Sequence, residues 1–129
     1  MARTGYLAAA WVAGAAALAG LGVLWWHHRY DEPFGAPDLT GYVVKVDPPA
    51  RPGYFGRGSW HVVVVPDAGP TRRVSLTVRR ETPVRGPDGG AGQFAPGQRV
   101  RVWRWSETEL SDGTLAVMTR FVSIVPAAP

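Results

Sequence analysis

Beyond residue 38 the chain alternates short apolar runs with clusters of turn residues, and no stretch there repeats with a helical period. The clearest run is "TRRVSLTVRR" at 71–80. Its period of two puts Val74, Leu76 and Val78 inward and Arg73, Ser75, Thr77 and Arg79 toward water. Further strands are expected at 39–46 ("LTGYVVKV"), 60–65 ("WHVVVV"), 98–106 ("QRVRVWRWS") and 115–125 ("LAVMTRFVSIV"). The Asp-Gly of "SDGT" at 111–114 predicts a tight hairpin turn between the last two. The segments 48–58 and 83–97 are loops, because their prolines and glycines sustain neither a ladder nor a helix.

The first thirty residues follow a different pattern. From Tyr6 to Trp26 the sequence "YLAAAWVAGAAALAGLGVLWW" carries no charge. As a helix it rises roughly 30 Å, about the hydrocarbon thickness of a bilayer. Tyr6 and the Trp25–Trp26 pair stand at its ends, where an amphipathic ring suits the membrane interface. The expectation is a transmembrane helix that anchors the chain in a lipid bilayer through residues 6–26. The N-terminal amine and Arg3 precede the span and Arg29 follows it, a weak bias toward an N-terminus in the cytoplasm and a C-terminal domain outside. A signal peptide cleaved at "ALAG" (17–20) competes, but it leaves "GLGVLWW" as an apolar mature end. Small residues four apart, Ala10/Gly14 and Ala16/Gly20, offer a face for helix-mediated self-association.

The domain plan is then an anchor with its flanks at 1–29, a Pro/Gly/acid linker at 30–38, a small β domain at 39–125 and a tail at 126–129. With 129 residues there is room for one such domain. Net charge is +4, and every basic residue except Lys45 is arginine. That excess demands no phosphate polymer as partner. The preference for Ala, Gly, Arg and Pro over Lys, Asn and Ile points to a GC-rich bacterial genome. Absence of cysteine excludes disulfides, thiolate metal sites and thiol nucleophiles.

Five strands without a helix, ordered as a three-strand meander, a connection and a hairpin, with "PGQRVRVW" leading into the fourth, resemble an OB-fold. The resemblance covers 39–125 and implies a mainly β chain: one N-terminal transmembrane helix followed by a five-stranded antiparallel OB-like barrel. Anchor plus barrel resembles the membrane-anchored haem chaperone of cytochrome c maturation. That family's haem attachment needs a histidine with a tyrosine four residues on near the C-terminal end of the barrel. This chain has no histidine after His61, so the activity is not carried over and no cofactor is expected.

Candidate chemistry is sparse. In 98–110, Val100 and Val102 share one strand face and Arg101, Trp103 and Trp105 the other, an arrangement suited to stacking a base, a sugar or a peptide. The alternative is that these residues pad the barrel wall or dock the linker. Arg73 and Arg79, with Arg72 and Arg80 at the strand ends, form a basic stripe for an acidic partner or anionic headgroups. Tyr54 and Phe55 lie between glycines on a loop and are candidates for partner or membrane contact. His27 and His28 are adjacent and diverge on a helix, and His61 stands alone among valines, so no metal site is expected. Glu107, Glu109 and Asp112 crowd one hairpin without a nucleophile, "GPDGGAGQ" lacks the Gly-Lys-Ser/Thr of a P-loop, and no triad can be assembled. The functional expectation is a noncatalytic binding or accessory module in a bacterial envelope complex, with other envelope proteins as partners. Alternatives are a cytoplasm-facing nucleic-acid-binding OB domain, disfavoured by topology, and a cofactor carrier.

Overall fold

The computed structural model describes residues 2–49 and 58–127. A helix α1 (Ala2–His27) is followed by β1 (Leu39–Asp47), β2 (Ser59–Pro66), β3 (Val74–Arg79), β4 (Val84–Arg85), β5 (Arg99–Glu109) and β6 (Leu115–Ile124). Within α1, side chains are described for residues 11–25.

The strands form one sheet in the order β3-β2-β1-β5-β6-β4, and β3 pairs with β6 to close a five-stranded barrel. Two corrections to the expected barrel follow. The sheet is mixed, because the β3–β6 closure is parallel, Val74 facing Leu115 and Thr77 facing Met118. There is also a sixth, two-residue strand: β4 lies parallel to β6, with Val84 opposite Val122. The remaining pairs are antiparallel.

Valine-rich alternation builds the core. Val74, Leu76 and Val78 of β3 point inward and are at most 2% exposed, as the period-two pattern predicts. They meet Val62 and Val64 of β2, Val43 of β1, Val100 and Val102 of β5, and Val117, Val122 and Ile124 of β6. β-branched side chains fit this pleated, enclosed surface. Gly41 is needed in β1, where a Cβ would meet the Val65 carbonyl oxygen and lie 2.7 Å from Val64 Cγ1. The predicted turn at 111–114 is present. Gly113 adopts φ +85°, Leu110 N–H donates to Thr114 O at 2.8 Å, and Thr114 N–H donates to the Asp112 carboxylate at 2.9 Å. The connection from 86 to 98 contains no helix, as its glycines predict.

Over residues 11–25 α1 is apolar on all sides: Trp11, Val12, Leu18, Leu21, Val23, Leu24 and Trp25 are each more than half exposed. It packs on no strand among the described residues. Among those residues no helix is long and apolar enough to cross a membrane. The described residues therefore do not show the transmembrane helix expected at 6–26.

Candidate functional site

The expected Arg101/Trp103/Trp105 ladder is broken by paired bulges. Trp103 lies opposite Phe121, but the next partners are Arg104 with Thr119 and Ser106 with Met118. Arg120 is therefore the extra residue on β6, and Trp105 the extra one on β5. The two bulged residues meet, with the Arg120 guanidinium carbon 5.7 Å from the Trp105 ring centroid.

The three ladder residues consequently have three environments. Trp103 is only 3% exposed and meets Phe121 edge-on at 5.6 Å. Its indole N–H has no hydrogen-bond partner among the described residues. Arg101 is half-buried and donates to both oxygens of Glu32, at 3.2 and 3.3 Å. Trp105 is 72% exposed. The linker is what occupies this face. Glu32 also accepts from Ser123 Oγ at 2.8 Å, and Asp38 accepts from the Arg104 backbone N–H at 2.9 Å. Asp38 N–H in turn donates to Val102 O at 2.9 Å. Two acids of a Pro/Gly linker thus satisfy donors on the outer wall, including the backbone N–H beside the bulge.

The basic stripe is likewise divided. Arg73 and Arg79 are exposed but stand at opposite ends of β3, and the Ser75 and Thr77 positions between them are half-buried along the closure with β6. Arg72 pairs with Glu109 at 3.2 Å, and Arg104 pairs with Glu107. Asp112 has its carboxyl held below the usual range by the backbone N–H of Thr114 and then by the Thr114 hydroxyl. The hairpin acids are therefore engaged in local pairs. Trp25 is exposed on α1, next to Arg29, whose guanidinium carbon lies 5.7 Å from its ring centroid. Tyr54 and Phe55 lie outside the described residues, and the side chains of Tyr6 and Trp26 are likewise not described. No cluster of three or more His, Cys, Asp or Glu able to hold a metal occurs among the described residues.

What sequence patterning did not reveal is a cleft of about 470 Å³ at the barrel end nearest α1. Trp60 at the start of β2, Val78 at the end of β3, Val84 of β4 and Phe94 form an apolar wall. The Trp60 and Phe94 rings are tilted against each other at 6.4 Å. Arg79 and Arg80 line it from the end of β3, and Arg29 and Tyr30 from the turn after α1. The Arg85 guanidinium donates to Tyr30 O at 3.3 Å, which ties that turn to the barrel. No acidic residue is among the described lining. Trp60 and Phe94 stand in separate segments, "SWH" and "QFA", and only the fold brings them together.

No family model matches this chain, and neither a curated protein nor a solved structure is similar enough to match it.

Proposed function

We propose that this chain is a noncatalytic, membrane-anchored binding module whose barrel stands on the extracytoplasmic side of a bacterial membrane and serves a complex of the envelope. The observation that carries the proposal is the exposed apolar surface of α1. A helix apolar all round requires a nonaqueous surrounding, and the barrel does not supply one, since no strand packs on α1 among the described residues. The uncharged run at 6–26 is long enough to reach across a bilayer.

The barrel order supports an OB-type assignment: a β1–β2–β3 meander and the β5–β6 hairpin joined by β1–β5, with β6 returning parallel to β3. The linker ties support a barrel held close to its anchor rather than swinging from it. The binding role falls to the cleft beside α1. The wall of β5 and β6 is occupied by Glu32 and Asp38, which leaves Trp105 alone for stacking and weakens the nucleic-acid reading. The noncatalytic assignment rests on the absence of an assembled nucleophile and base in the sequence and on the pairing of Glu107 and Glu109 with arginines.

A topology reporter fused to the C-terminus tests the orientation. Activity of a reporter that works only outside the cytoplasm is the expected result. Activity only of a cytoplasmic reporter overturns it and restores nucleic acid as a candidate partner.

A further inference from the structure

The cleft beside α1 combines three features that together select a ligand class. Its volume of about 470 Å³ fits a small-molecule group rather than a polymer. Arg29, Arg79 and Arg80 contribute to its lining while no acidic residue is among the described lining, so the local field favours an anion. Guanidinium groups match the oxygens of phosphate better than other cations do. Trp60, Phe94 and Val84 also line the cleft, which favours an apolar body attached to that anion.

Position adds a further constraint. Arg29 and Tyr30 belong to the turn directly after the last residue of α1, His27, and Arg85 pins that turn to the barrel. The cleft mouth is therefore fixed next to the end of the apolar helix. On the reading of α1 as a membrane anchor, on which this part rests, the mouth lies at headgroup depth.

We infer that this cleft binds a phosphate group borne on an apolar body, with the headgroup of an anionic phospholipid as its occupant. The arginines take the phosphate oxygens, and Trp60 and Phe94 cover the adjoining glycerol and chain carbons. Inorganic or sugar-borne phosphate shares the first half of this chemistry, so the test separates the sources.

Native mass spectrometry of the full-length protein in nonionic detergent, offered phosphatidylglycerol and phosphatidylcholine at equal concentration, reads the selection directly. One retained phosphatidylglycerol, favoured about tenfold over phosphatidylcholine, is expected from charge-assisted hydrogen bonds of ordinary strength. The double substitution Arg79→Gln/Arg80→Gln should abolish the preference. Arg73→Gln, at the far end of β3, should leave it intact. Displacement by an equal concentration of glycerol 3-phosphate assigns the site to soluble phosphoesters, whereas persistence of the lipid assigns it to the membrane. Equal retention of both lipids, or a preference unchanged in the double variant, overturns the proposal. Failure of the anchor is read separately: a chain that fractionates as a soluble protein loses the headgroup argument, but its selection between the two lipids is still measured.

Discussion

Along β3, Val74, Leu76 and Val78 alternate with half-buried Ser75 and Thr77, and each of the three valine and leucine side chains is enclosed by the barrel. Along α1, apolar residues follow one another without alternation, and from Trp11 to Trp25 every side chain is exposed. Both segments are rich in apolar groups. The difference lies in periodicity and in what covers them. A period of two commits one face of a strand to a partner sheet, and here the chain supplies that partner itself. A run with no polar face commits no side in particular, so the whole circumference needs an apolar surrounding from elsewhere. The barrel is complete on its own terms, and α1 is not.

Substitutions should therefore act very unequally on the two regions. The largest effect is expected for Trp103→Ala, which empties the buried contact with Phe121 and costs about 3–5 kcal/mol in denaturant unfolding of the barrel. Trp105→Ala, two residues away but exposed on its bulge, should cost no more than about 1 kcal/mol, the worth of its contact with Arg120. A similar loss for both tryptophans would contradict the paired bulges. Leu76→Ala should cost about 2–5 kcal/mol, while Leu18→Ala in α1 should leave the same transition within about 0.5 kcal/mol. Equal sensitivity would mean that α1 packs on the barrel.

Next in size is Gly41→Ala. Its new methyl would press on the backbone of β2 at Val65 and Pro66, and overpacking of this kind costs about 1–3 kcal/mol. Smaller still is the linker tie. Glu32 and Arg101 are both partly exposed, so a double-mutant cycle between them should give about 0–1 kcal/mol. The clearer readout for Glu32→Gln is faster amide exchange in the linker with the barrel unchanged. Exchange unaltered in the variant would show that the tie does not hold the linker down.

The smallest effect concerns Asp112. Its carboxyl titrates below the usual range because the Thr114 N–H and hydroxyl favour the charged form. The associated stabilisation is present above the ordinary aspartate value of about 3.9 and is lost as pH falls through the lower, folded value. Asp112→Asn should slightly lower stability at neutral pH, and the difference from the parent should vanish as pH falls through the lower, folded value. A difference that persists undiminished at low pH would reject the assignment.

Much of this fold is legible in local pattern. The alternation at 71–80 and the Asp-Gly turn each carry their own short-range physics and appear where expected, whereas the expected loop at 83–97 holds β4 and that at 48–58 lies largely outside the described residues. The parallel β3–β6 closure is not legible in this way, because pairing partners some forty residues apart leave no mark on either strand alone. The bulges are hidden for a related reason. Trp105 reads as the next member of an alternating face until Arg120 slips the opposing register. The linker's role is also nonlocal: Glu32 and Ser123 are far apart in sequence, and nothing in "DEPFGAPD" names its acceptor or donor partners. β4 is too short to carry a period at all. The cleft is least legible, since its two aromatics come from separate segments whose surroundings give no shared motif.

The contrast between an enclosed barrel and an uncovered helix is tested most directly by fractionating cells that express the full-length chain. The protein is expected uncleaved in the membrane pellet, retained through high salt and alkaline carbonate, and released only by detergent. Recovery of the intact chain in the soluble fraction without detergent would contradict the account, because α1 would then have found its cover in water-soluble company.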